Sequence, residues 1–248
     1  MNTNLGNKKY FTVTSHNYGA AYFELQPILR LIDGEIFGYE ILFRGEKKIP
    51  WLEVDRLVVS YLSLNQMHST SLFVNLSHEG LLDIPDEQFI DLTRKNRIYF
   101  ELTESESEEA IHAASAIKVN RLADQGVLFA IDDYGSGRDG NLRVEELSKV
   151  EIVKIDKDLL ISMMLDECIR SSTDIFLKKC VSLGIQTLAE GVETKDLLQF
   201  ARSRNFNFAQ GFYIDEITSV LPHALHSFKT EAIKLNAKDV WTETWELR

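Results

Sequence analysis

The sequence predicts an α/β fold, a TIM-like (β/α)8 barrel whose first strand runs antiparallel to the others. Three observations carry that expectation. About eight short β-rich runs alternate with segments of helical periodicity, the pattern of parallel strands joined by right-handed crossovers. The chain has 248 residues, close to the ~250 typical of an eight-stranded barrel. Asp33-Gly34 sits between the first two runs, and Asp-Gly in that position marks a hairpin, hence an antiparallel pair. No Gly-rich dinucleotide turn follows the first strand, which counts against an open doubly wound sheet.

Taken in order, residues 1–19 form a polar N-terminal extension, and residues 20–248 a single barrel domain standing alone and ending in a C-terminal helix. Residues 21–29 and 35–43 are the hairpin strands. Trp51 to His68 carries Leu52, Leu57, Val58, Tyr61 and Leu62 at helical spacing, and Leu72 to Leu76 is the next strand. Helices near 85–95 and 106–125 precede strands 98–103 and 127–132, with Gly126 where a helix C-cap belongs. A helix near 143–149 leads to strand 152–155, and one from Leu159 to Leu183, closed by Gly184, leads to strand 185–190. Residues 195–204 read as helix, 206–213 as the last strand and 221–235 as helix. Trp241 and Trp245, four apart, predict a final helix packed on the barrel or on a second subunit.

Composition narrows the function. Apolar residues make up 44% and charged residues 26%, ordinary for a soluble globular chain. With 27 Lys and Arg against 38 Asp and Glu, the formal charge of −11 argues against binding polymeric nucleic acid through a basic surface. A small anionic ligand remains open if metal ions carry the positive charge. Cys168 and Cys180 are the only cysteines, too few for a disulfide framework or a Cys-based zinc site, and read as reduced and structural. No apolar signal region and no run of eighteen apolar residues occurs, so a cytoplasmic protein without a membrane segment is expected.

In such a barrel the chemistry sits at the C-terminal ends of the strands. Glu40 and Arg44 belong to the second strand, Asn75 to the third, Glu101 and Glu104 to the fourth, and Asp132 and Asp133 to the fifth. Lys154 and Asp156 end the sixth, Glu190 and Glu193 the seventh, and Gln210 the eighth. Singly, each is as consistent with a helix cap or a solvated turn. Together they would repel one another at one mouth unless cations were bound. Glu, Asp and Asn oxygens select hard ions, Mg²⁺ or Mn²⁺, over zinc. Two such ions suit in-line attack of water on a phosphate ester. Lys154 would orient the water or neutralise developing charge, and Arg44 would fork onto a phosphate. The bland alternatives are a snorkelling lysine and a structural ion pair to a neighbouring carboxylate.

These residues resemble those of the EAL-domain cyclic di-GMP phosphodiesterases. The matching stretches are Gln26-Pro27-Ile28, Glu40-Ile41-Leu42-Phe43-Arg44, residues 73–77, residues 100–104, residues 131–137, residues 153–156, residues 188–193 and Gln210-Gly211-Phe212. The resemblance implies a barrel with an antiparallel first strand, two Mg²⁺ or Mn²⁺ per site, a homodimer, and hydrolysis of cyclic di-GMP to linear pGpG in bacterial biofilm and motility signalling. It implies that Glu40, Asn75, Glu101 and Asp132 hold one metal, and that Asp132 bridges to a second held with Asp133. Glu190 would serve the second metal or act as general base, Lys154 would position the water, and Arg44, Gln210 and Glu193 would meet the substrate. Glu104 would anchor the loop after Asp133. The chain departs from the family where Arg138-Asp139-Gly140-Asn141 follows Gly137, where Ile41 replaces Ala, and where residues 213–217 lack a proline. A catalytically silent receptor on the same barrel is the alternative; silent members lose several of these residues, whereas here every acidic position is filled.

Overall fold

The computed structural model describes residues 9–15, 17–45, 49–65, 70–102, 109–136 and 149–219. Its strands are β1 (Lys9–Ser15), β2 (Gly19–Arg30), β3 (Ile36–Phe43), β4 (Ser71–Leu76), β5 (Ile98–Leu102), β6 (Leu128–Tyr134), β7 (Ile152–Ile155), β8 (Gln186–Ala189) and β9 (Phe208–Ala209). The helices are α1 (Trp51–Leu64), α2 (His78–Asp83), α3 (Asp86–Lys95), α4 (Glu109–Ala123), α5 (Lys157–Leu165), α6 (Glu167–Leu183), α7 (Lys195–Ser203) and α8 (Phe212–Thr218). Strands β3 to β9 pair in parallel, each with the next. β2 closes the barrel, antiparallel to β3 on one edge and to β9 at Leu29 and Arg30 on the other. The eight-stranded barrel and its antiparallel first strand are therefore as the sequence predicts, with Asp33-Gly34 in the connecting turn and Gly34 at φ +75°.

The polar extension is not featureless. Lys9–Ser15 pairs antiparallel with residues 19–25 of β2, covering the stretch of that edge that short β9 leaves open. Its alternation buries Phe11 and Val13, and the Phe11 ring stacks on Tyr61 of α1 at 4.3 Å and on Phe23 at 5.0 Å. Each such buried side chain contributes ~1.5–3 kcal/mol of hydrophobic transfer.

Two further differences come from caps. The helix expected over 159–183 is two helices, because Asp166 adopts extended backbone and its side chain accepts from the amides of Cys168 and Ile169, starting α6 afresh. The last strand is short. Gly211, at φ +146°, turns the chain out of it, and Phe212–Thr218 is helical rather than extended. The helices expected near 143–149 and 221–235, the paired tryptophans and the Arg138–Asn141 segment lie outside the described residues. Among the described residues no helix is long and apolar enough to cross a membrane.

The core has two layers. Outward strand residues such as Leu72, Val74, Phe100, Phe129 and Ile131 pack against the helices. A smaller cluster of Ile28, Phe73, Tyr99, Ala130, Ile152, Leu188 and Phe208 plugs the barrel interior. Because side chains alternate along a strand, the residue two further toward the mouth occupies the next inner layer. Those residues are Gln26, Asn75, Glu101, Asp132, Lys154, Glu190 and Gln210, joined by Glu40 of β3 opposite Gln26. An apolar plug thus carries a polar ring on top of it.

Candidate active site

Lys154 is the hub of that ring. Its side chain is 1% exposed, and Nζ lies 2.7 Å from Asp132 Oδ1, 2.8 Å from Glu101 Oε1, 2.9 Å from Glu190 Oε1 and 3.4 Å from Glu40 Oε2. Burial alone would depress an ammonium, but the charges of Asp132, Glu101, Glu190 and Glu40 outweigh it and hold Lys154 well above the usual lysine range. Glu40 accepts from Asn75 Nδ2 at 2.7 Å and from Gln210 Nε2. Burial pushes Glu40 up, yet Lys154 and these hydrogen bonds more than offset it and leave Glu40 below the usual carboxylate range. Glu101 is fully buried; desolvation, reinforced by repulsion from Glu40, drives it well above that range. Glu190, with 17% of its side chain exposed, is pushed up to about 8, chiefly by burial.

Neighbouring residues on a strand normally face opposite ways, so two adjacent aspartates at one mouth need a local break. β6 supplies it with a bulge between Ile131 and Tyr134, where Asp133 takes φ +52°. Ser136 closes the turn by donating from N and Oγ to the Asp133 carbonyl at 3.1 and 2.8 Å. Carboxylate oxygens of Asp132, Asp133 and Glu190 then lie within 4.8 Å of one another.

The ring fits divalent cations. All donors are hard oxygens, and the carboxylates outnumber the one ammonium. Among the described residues both Glu101 oxygens and Asp132 Oδ1 are buried without a hydrogen bond, with Lys154 as an ion-pair partner of both side chains. Asp132 belongs both to the buried ring and to the outer trio, the position from which one carboxylate can serve two ions.

Not every strand-end residue joins this centre. Asp156 caps α5, accepting from the amides of Asp158 and Leu159. Glu193 is engaged by Lys157 Nζ at 2.6 Å on the surface, outside the ring. Arg44 stands at the mouth with its Nε donating to Glu24 Oε2 at 2.7 Å. Glu104 lies outside the described residues. Sequence reasoning assigned no role to Glu24, or to Gln26, which accepts from Gln210 at 2.8 Å and donates to Asp215 at 3.3 Å. The available signal was their period-2 placement with Ile28 in an otherwise apolar strand. Asp55 was also missed: buried in α1, it accepts from Ser77 Oγ at 2.6 Å and Ser77 N at 3.1 Å just past β4.

The 210–213 turn is clipped to the loop after β8, with Val192 N donating to the Gln210 carbonyl at 2.9 Å and Tyr213 N to the Val192 carbonyl at 3.0 Å. A Cβ on Gly211 would fall 2.4 Å from Val192 N, so glycine is required for the approach that sets Gln210 beside Glu40.

Known proteins share this fold. The chain is 31% identical over 174 residues to cyclic di-GMP phosphodiesterase PdeB of Shewanella oneidensis, covering 65% of this chain and 20% of that protein. It is 30% identical over 219 residues to the probable cyclic di-GMP phosphodiesterase PdeG of Escherichia coli, covering 76% of this chain and 43% of that one. The chain thus spans less than half the length of these relatives. In three dimensions it is similar to Klebsiella pneumoniae BlrP1 in a manganese/cyclic di-GMP complex, with a TM-score of 0.63 at 22% identity, covering 83% of this chain and 58% of that one. The EAL domain family model matches residues 53–216, beginning after the Glu40–Arg44 stretch. With the barrel, the acidic ring and that match, the chain belongs to the EAL domain family.

Proposed function

We propose that the chain is a cyclic di-GMP phosphodiesterase that hydrolyses the cyclic dinucleotide to linear pGpG. The observation that carries this reading is the complete acidic ring around Lys154, with Glu40, Glu101, Asp132 and Glu190 all within 3.4 Å of its Nζ. Glu40, Asn75, Glu101 and Asp132 would hold one Mg²⁺ or Mn²⁺, and Asp132, Asp133 and Glu190 a second. Bound there, the ions supply neutralisation of the phosphate charge and a lowered pKa for water.

The chain's own groups do the rest. Glu190, the most exposed of the four carboxylates around Lys154 and close to Asp132 and Asp133, takes the proton of the attacking water. Lys154 holds the four carboxylates in one cluster and offsets part of their charge as the transition state gains its own. Gln210 and Asn75 fix Glu40 by donating to its two oxygens. Arg44 meets a non-bridging phosphate oxygen at the rim. Water oxygen bonds to phosphorus, the bond to the 3′ oxygen breaks, and that oxygen leaves with a proton, giving a 5′-phosphorylated linear dinucleotide.

The test is incubation of the purified chain with cyclic di-GMP and Mg²⁺ or Mn²⁺, resolved by nucleotide product. Wild type releases pGpG, Glu40→Ala does not, and a chelator stops the reaction. Tight binding without metal-dependent hydrolysis would instead establish the silent-receptor alternative.

A further inference from the structure

We infer that Glu24 is a positioning residue for phosphate recognition, holding Arg44 by one N–H and setting the charge that Arg44 presents to the substrate. The inference rests on the phosphodiesterase reading of the barrel mouth.

The antiparallel register places Glu24 opposite Leu42 and Gln26 opposite Glu40, so Glu24 stands one inner layer nearer the rim than the acidic ring. Arg44 follows Leu42 by two residues and is tied to the same hairpin by its amide, which donates to the Tyr22 carbonyl at 2.7 Å. Its side chain is 46% exposed, whereas that of Glu24 is only 4% exposed, and Nε donates to Glu24 Oε2 at 2.7 Å. A buried carboxylate here has no solvent to stabilise it, so it holds its guanidinium strongly. Among the described residues Nε is the one Arg44 side-chain atom in a hydrogen bond, leaving the terminal N–H groups for a phosphate oxygen.

Two consequences follow from charge and geometry. A guanidinium fixed at Nε loses less rotamer freedom on binding phosphate than a free one. The Arg44 guanidinium also has its charge offset by the adjacent Glu24 carboxylate. It accepts a singly charged phosphodiester by its donor geometry, but meets the nearly doubly charged terminal phosphate of an opened product with the Glu24 carboxylate close by. Glu24 therefore tilts the mouth toward the cyclic diester and away from retained product.

The experiment compares KM, kcat and product inhibition by pGpG for wild type, Glu24→Ala, Glu24→Asp, Glu24→Gln, Arg44→Ala and the Glu24→Ala/Arg44→Ala double variant. Calorimetric Kd for cyclic di-GMP with Ca²⁺ replacing the active ion is measured in parallel. Losing a hydrogen bond to a charged group predicts a KM and Kd raised about tenfold in Glu24→Ala and Glu24→Asp, with kcat little changed. Glu24→Gln, which keeps an acceptor for Nε, retains wild-type KM but is inhibited more strongly by pGpG. In the double variant the alanine at 24 adds nothing to the loss of Arg44. Should Glu24→Ala not fold, the Asp and Gln variants carry the comparison, because both keep a polar side chain that fills most of the site. Glu24→Asp with wild-type KM and Kd, while Arg44→Ala is impaired, overturns the inference alone, as does additivity in the double variant. A wild type that neither binds nor hydrolyses cyclic di-GMP overturns the phosphodiesterase reading as well.

Discussion

Replacing Lys154 by methionine tests how the ring is held together. The side chain is fully buried, with four carboxylates at 2.7, 2.8, 2.9 and 3.4 Å. At an effective dielectric near 20, each contact with an ionised carboxylate is worth ~5–6 kcal/mol gross. Desolvation of the ammonium and of the carboxylates offsets most of that sum. Removing one partner from a buried ionic cluster typically leaves a net loss of about 3–5 kcal/mol, because the charges left behind are unpaired. For a chain of this size that lowers Tm by roughly 6–20 °C. The same carboxylates would then meet Mn²⁺ without competition from an ammonium, so the metal should restore much of the loss. Differential scanning calorimetry of both proteins, with chelator and with excess MnCl₂, reads the two effects. Lys154→Met is expected to melt far below wild type in chelator, to gain more than wild type from Mn²⁺, and to turn over poorly with the ion bound. A variant melting within about 2 °C of wild type in chelator, or gaining no more than wild type from the ion, would refute the reasoning.

Asp55 is pushed up to about 7, mainly by burial, from its ordinary 3.8. The folded state therefore binds the extra proton between roughly pH 4 and 7. Stability from this group is fully present below the unfolded value and is lost as pH rises through 7, a change on the order of 4 kcal/mol. Asp55→Asn, which can still accept from Ser77, should flatten urea-derived stability over that window; an unchanged slope removes Asp55 as its source. Gly211→Ala forces a Cβ to 2.4 Å from Val192 N. It should cost ~1–3 kcal/mol and lower turnover by displacing Gln210 from Glu40, and a variant as stable and as active as wild type contradicts that. Asp133→Asn tolerates φ +52° but removes a charge from the outer trio. The Mn²⁺ concentration for half-maximal hydrolysis should rise about tenfold for a loss near 1.4 kcal/mol, and an unchanged metal requirement would exclude Asp133 as a ligand.

The polar ring was legible because one rule generates it. Phe73 and Asn75, Tyr99 and Glu101, Ala130 and Asp132, and Ile152 and Lys154 repeat an apolar residue followed two later by a polar one, and parallel register stacks them into layers. The hairpin was legible in Asp33-Gly34 because a tight turn needs a residue that accepts φ above zero. What escaped depends on pairings that no spacing encodes. Asp55 meets Ser77 across 22 residues, and Glu24 meets Arg44 only because the hairpin register brings β2 and β3 together. The break at Asp166 escaped because the apolar periodicity continues through it, while a local cap decides the helix boundary. β1 escaped because a seven-residue strand gains its stability from Phe11 on Tyr61, a tertiary contact. Asp156 and Glu193 look like ring members in one dimension, but a helix cap and a surface lysine claim them.

The most direct test of the central claim is a single-turnover reaction of the purified chain with cyclic di-GMP and Mn²⁺ in ¹⁸O-labelled water. Attack by water on phosphorus at the barrel mouth predicts pGpG carrying one labelled oxygen, located in its new terminal phosphate. Bound cyclic di-GMP recovered intact, or pGpG without label, would contradict the account.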